Sequence, residues 1–163
     1  MSDRPHAARD FLITILPVLW IGMVIGISFI ATPAKFQVAD LDRTAALLVS
    51  SVTFAWLHVA EAIVGVLLAA VMLFAGARWP QWVALVLASA ILALQVDWIL
   101  PGFEGRSGLI PGLPALDFRQ LHTVFGITEG IKIAALLTLS FIAFRGRGAL
   151  GVDSGAEDAA VAR

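Results

Sequence analysis

His58 and Glu61 stand three residues apart in an otherwise apolar stretch, and His122, Glu129 and Lys132 recur in another. On a helix, His58 and Glu61 share a face, as do Glu129 and Lys132. Gln95 and Asp97 bring polar groups to a third apolar stretch. Ionisable side chains are costly in hydrocarbon, so they turn to a protein interior or a water-filled space and mark a functional face. Imidazoles and carboxylates placed this way can pass protons, hold a small ligand or ligate a metal.

The setting is a membrane. Sixty per cent of the 163 residues are hydrophobic and 14% are charged, with mean hydropathy +0.92. A soluble domain is nearer half apolar and a quarter charged. The absence of cysteine excludes disulfides, thiolate nucleophiles, iron–sulfur clusters and cysteine zinc sites. A formal net charge of −1 points away from nucleic acid. No Ser/His/Asp arrangement, phosphate loop or zinc-protease motif is present, which argues against an independent enzyme of the soluble type.

Four apolar runs predict an all-α integral membrane four-helix bundle, up-down-up-down, with the lipid bilayer as its first partner. The spans fall at 11–31, 52–75, 82–100 and 120–144, and the tail 145–163 reads as disordered and cytoplasmic. Arg4 and Arg9 precede a first run too long for a signal peptide core, so it reads as a retained span. Pro33 is expected to end that span at Thr32. Asp40 is the expected N-cap of the second element, and Asp117 with Gln120 forms a capping box at the fourth. Residues 101–116, rich in glycine and proline, read as a loop. Arg4, Arg9, Arg78, Arg145 and Arg147 fall on one side, against Lys35, Arg43, Arg106 and Arg119 on the other. The bias predicts a cell (inner) membrane protein with both termini cytoplasmic.

Counting from the helix ends at 1.5 Å per residue, His58, Glu61, His122 and Glu129 match in depth within a turn. Gln95 and Asp97 approach the same layer from the third span, and Lys132 lies about a turn deeper. The outer half of the bundle is therefore expected to hold a polar layer, and the inner half to be apolar. Glu129 and Lys132 can pair at i,i+3. Glu61 has no charged partner on its own helix. Plain structural readings compete: Glu129–Lys132 as a stabilising pair, His122 at the headgroups, Asp97 solvated near the interface.

Three functions fit these residues. The first is binding or translocation of a small ligand or protons at His58, Glu61, Gln95, Asp97, His122, Glu129 and Lys132. The second is an accessory subunit of a larger membrane complex, or a homo-oligomer, docking through the Gly22/Gly26 and Gly126/Gly130 faces. The third is a redox or metal protein, with haem between His58 and His122 or a divalent metal on His58, Glu61, His122 and Glu129. Trp20-Ile-Gly22, Pro33-Ala-Lys-Phe36 and Phe118-Arg-Gln-Leu-His122 make the chain resemble a family of small four-span membrane proteins related to eukaryotic transmembrane protein 205. That resemblance implies a membrane location and four helices, and no established reaction.

Overall fold

A computed structural model describes residues 4–103 and 116–161, with side chains at 8–103 and 116–145. Among these residues the protein is a helical bundle with four helices long and apolar enough to cross a membrane: Ala8–Lys35, Arg43–Ala75, Trp79–Phe103 and Phe118–Arg145. It is an all-α, multi-pass integral membrane protein. Val66, Leu73 and Phe74 are at least 70% exposed, a surface that only lipid or another membrane helix covers favourably.

The first rod runs through α1 (Arg4–Val24), a π-helical segment (Ile25–Ala31) and α2 (Thr32–Lys35). Pro33 does not end it. The ring of Pro33 carries no N–H and crowds the carbonyl one turn back, which forces a wider turn rather than a stop. The Thr32 N–H reaches the Ile27 carbonyl five residues back, and the Thr32 hydroxyl donates to the same oxygen at 2.8 Å. The third span repeats the device. After α4 (Trp79–Leu94) a second π segment, Gln95–Ile99, leads into α5 (Leu100–Phe103). Leu100, the residue before Pro101, donates its N–H to the Gln95 carbonyl. Each π segment thus directly precedes an X-Pro step. The helix extends three residues into the segment expected to be a loop, and Glu104 and Arg106 lie outside the described residues.

The second span is α3 (Arg43–Ala75). Its N-cap is Asp42, not Asp40: the Asp42 carboxylate accepts from the N–H groups of Thr44 at 2.9 Å and Ala45 at 3.2 Å. These bonds, that from Ala45 foremost, hold the Asp42 carboxyl below the usual carboxylate range. Gly76 ends α3 at φ 65°, the left-handed turn that favours glycine. Ala77 N–H then returns to the Met72 carbonyl at 3.1 Å. The short turn that follows makes α3 and α4 antiparallel neighbours.

The fourth span begins α6 (Phe118–Val161). The expected capping box forms: Asp117 accepts from Gln120 N–H at 2.7 Å, and Gln120 accepts from Asp117 N–H at 3.0 Å. The helix runs to Val161 where the sequence predicted disorder; no proline after Pro114 interrupts it. Around the bundle α6 packs on α1 and α4, and α3 packs on α1 and α4, so α3 and α6 are diagonal. The half nearer the N-terminus is apolar as expected, with Leu68, Met72, Leu136 and Leu139 fully buried. At that end Arg9 donates to the Phe74 carbonyl at 3.3 Å, complementing the last turn of α3, and Arg78 donates to the Ile142 carbonyl of α6 at 3.0 Å.

Candidate functional site: a buried charge cluster beside an aromatic cavity

The diagonal between α3 and α6 is crossed by a charged contact. The Lys132 ammonium lies 2.6 Å from Glu61 Oε1 and 3.1 Å from Glu129 Oε2, and all three side chains are fully buried. It also donates to Gln95 Oε1 at 2.8 Å. The three protons of the ammonium therefore face three oxygens. Beyond its ion pair with Lys132, Glu129 Oε2 has no hydrogen-bond partner. Gln95 is fixed in turn: its amide donates to the Thr128 hydroxyl at 3.2 Å, and Thr128 donates to the Phe125 carbonyl at 2.8 Å.

Glu61 Oε1 accepts a second bond, from the Trp20 indole N–H at 2.7 Å. A buried tryptophan must place that proton, and Trp20 is fully buried in the middle of the first rod. Its ring is seated by Gly65, where an added Cβ would meet Trp20 carbons at 3.1 Å. Glu61 Oε2 has no hydrogen bond; it faces His58 Nε2 at 3.8 Å. Both ring nitrogens of His58 lack partners although the side chain is 5% exposed. Buried polar atoms are rarely left so. The cluster thus contains one ammonium, two carboxylates and an imidazole with free nitrogens.

A cavity of about 590 Å³ adjoins the cluster in the half of the bundle away from the N-terminus. Its walls carry Phe29 and Phe36 from the first rod, Phe54 from α3, Phe103 from α5, and Phe118 and Phe125 from α6. The rings interlock edge to face: Phe54 with Phe125 at 5.3 Å, and Phe103 with Phe118 at 5.5 Å. Phe29, Phe36, Leu48 and Phe118 line the cavity and are also 46–64% exposed, so it reaches the lipid-facing surface. Glu129 closes its inner end. The Glu129 side chain itself is inaccessible, and Ser28, on the first π segment, stands between, donating to Glu129 Oε1 at 3.3 Å. Ser50, on another wall, accepts from the Lys35 ammonium at 2.6 Å.

Of the residues singled out from sequence, His58, Glu61, Gln95, Glu129 and Lys132 come together. Lys132, placed a turn deeper by counting, reaches back into the layer along its own stem. His122 does not join them: it is exposed on the cavity wall, its Nδ1 3.2 Å from the Phe118 carbonyl, with Phe103 edge-on at 4.8 Å. Asp97 is half-buried on the second π segment, outside the cluster's contacts. Trp20, Ser28 and Thr128 were missed. Trp20 was the findable one, as an indole far from either interface. Gly22, Gly26, Gly126 and Gly130 have nothing within 4 Å of an added Cβ, so within the monomer they are not close-approach faces.

The residues present do not fit a metal or bis-histidine haem. The Lys132 ammonium occupies the space between the two carboxylates that a divalent cation would need. His58 stacks toward Phe54, Phe54 packs on Phe125, Phe125 on Phe103, and Phe103 on His122, so three rings separate the histidines. Among the described residues no three His, Cys, Asp or Glu side chains converge to hold a metal ion. No family model matches the chain, and no curated protein or solved structure is significantly similar to it.

Proposed function

We propose that this protein binds a small lipophilic ligand in the aromatic cavity, and that the buried charge cluster senses or moves a proton when the ligand binds. One observation carries this reading: Glu129 belongs to both places, closing the cavity while paired to Lys132 in the cluster. The volume lies within the usual range for small-molecule pockets, about 300–1,000 Å³, and the apolar lining with a few polar groups matches their composition. The π segments support it, because such widened turns recur at functional sites, and here they carry Ser28 and Gln95. Arginines clustered at the N-terminal end favour a cell (inner) membrane location with both termini cytoplasmic and the cavity in the outer half.

The test uses a fluorescent apolar dye such as Nile red on detergent-purified protein, wild type against Gly126→Leu. Gly126 lines the cavity and has open space around an added Cβ. Leucine there fills the cavity and raises helix propensity by about 1 kcal/mol. Saturable binding in the wild type, lost in Gly126→Leu with no fall in melting temperature, is the expected result; equal binding in both would overturn the reading.

A second reading is an accessory or self-associating role. Gly22 is exposed and Gly26 half-buried, with no neighbour near either, a surface that admits another membrane helix. Cross-linking from a cysteine at Gly22 in native membranes tests it. A single crosslinked species supports docking, and only monomer would count against it.

A further inference from the structure

The charges in the cluster do not balance. With Lys132 charged and both Glu61 and Glu129 ionised, the fully buried trio carries one excess negative charge. An apolar interior does not tolerate an uncompensated charge, so one further positive charge completes it. Two places can supply it. One is within the cluster, where Glu61 Oε2, Glu129 Oε2 and both His58 ring nitrogens lack hydrogen-bond partners and can hold a proton. The other is the cavity, which meets the cluster at Glu129 through Ser28.

We infer that the cavity takes a lipophilic monocation, such as a quaternary ammonium, a phosphonium or a protonated amine on an apolar body, in exchange for one proton of the cluster. This rests on the cavity being a ligand site, as proposed above. The walls suit that class. Aromatic faces attract a cation with little hydration, and Phe29, Phe54, Phe103 and Phe125 surround the space. An apolar body can enter from the lipid side, past the exposed rings of Phe29, Phe36 and Phe118. Of the charged and titratable groups nearby, His122 and Glu129 line the cavity, and the others stand behind its walls. Lys35, held by Ser50, is seven residues beyond Ser28 on the first rod, about 10 Å at 1.5 Å per residue. From α3 come His58 and Glu61, from the second π segment Asp97, and from α6 His122, Glu129 and Lys132. Once the cluster gives up its proton, the excess negative charge lies at the Glu129 end of the cavity, away from Lys35, and a cation seats against Ser28 and Glu129. When it does, the proton leaves to water and the total charge is unchanged.

The experiment is calorimetric titration of the full chain in mild detergent with tetraphenylphosphonium and with tetraphenylborate, a cation and an anion of nearly the same shape. Buffers of different ionisation enthalpy report proton release. Phosphonium binding is expected to release one proton per cation and to tighten up to tenfold per pH unit as pH rises. In Glu129→Gln the Glu61–Lys132 pair is already neutral, so affinity should fall at least tenfold and lose its pH dependence. Gly126→Leu should lose binding altogether. Borate binding as tight as phosphonium, or phosphonium binding with no proton release in the wild type, overturns the cation inference and leaves the cavity reading standing. No binding of either ion, or equal binding to Gly126→Leu, overturns both. The wild-type proton count and Gly126→Leu decide the matter even if Glu129→Gln fails to fold.

Discussion

Replacing Lys132 with methionine removes one charge from a fully buried trio and keeps most of the side-chain volume. The ammonium has three partners, at 2.6 Å from Glu61, 2.8 Å from Gln95 and 3.1 Å from Glu129. Removing one member of a buried ionic group costs about 3–5 kcal/mol, because the partners remain buried and uncompensated. For a chain of this size that is a fall of on the order of 10 °C in melting temperature. The assay is thermal unfolding by circular dichroism in mild detergent. Lys132→Met combined with Glu61→Gln and Glu129→Gln should recover most of the loss, since exchanging buried ions for neutral groups of similar size is often close to neutral. A single mutant within about 2 °C of wild type would refute the claim that the cluster is energetically coupled. A triple mutant as unstable as the single one would show that packing of the lysine stem, not charge, holds the bundle there.

Trp20→Phe keeps an aromatic ring but deletes the donor to Glu61 and part of the buried indole volume; a loss of at least about 1.5–3 kcal/mol is expected, the usual worth of a hydrogen bond to a charged group with a cavity cost added, measured by the same melts. Gly65→Ala should push the Trp20 ring from its 3.1 Å contact, costing about 1–3 kcal/mol from overpacking, and Gly65→Ala together with Trp20→Phe should cost less than the sum if the clash acts through that hydrogen bond. The Asp42 carboxyl lies below the usual range because the Ala45 and Thr44 amides bind its anion, so its contribution is present above the ordinary carboxylate pKa and is lost as pH falls through the folded value. Hydrogen exchange at Thr44 and Ala45 should lose protection on acidification in the wild type and be unprotected at all pH in Asp42→Ala; protection that ignores pH would sink that capping role. The chain has no cysteine, so a single cysteine at Ser107 reports topology alone. It should react with an impermeant maleimide in intact cells, whereas labelling only after lysis would invert the orientation.

The four helices and the polar layer were legible because apolar run length and helical counting need only the chain's own order. Glu61 and Glu129 could be matched in depth from the helix ends alone, and Asp117–Gln120 could be recognised as a cap because capping is local. What failed was contact across the bundle. Nothing in the spacing says that Lys132 spans the diagonal to Glu61, since Glu129 at i−3 is an adequate partner on paper. Pro33 and Pro101 misled for a physical reason: in water a proline ends a helix readily, but in a membrane the backbone must stay hydrogen-bonded. The chain widens into a π turn instead, with Thr32 and Leu100 each donating five residues back. The glycine pairs have open space around them within the monomer, so their spacing bears only on partners outside the chain; among the described residues the packed glycines are Gly65 against Trp20 and Gly102 against Leu121.

Photoaffinity labelling tests the central claim most directly. A small lipophilic diazirine is irradiated with the detergent-purified protein, and the adducts are mapped by mass spectrometry with and without excess unlabelled compound. Adducts that compete away should fall on cavity residues such as Ser28, Phe54, Phe103 and Phe125, while those on the lipid-facing Val66, Leu73 and Phe74 should not compete. Labelling confined to the lipid-facing residues, or cavity adducts that no excess displaces, would contradict a ligand site beside the charge cluster.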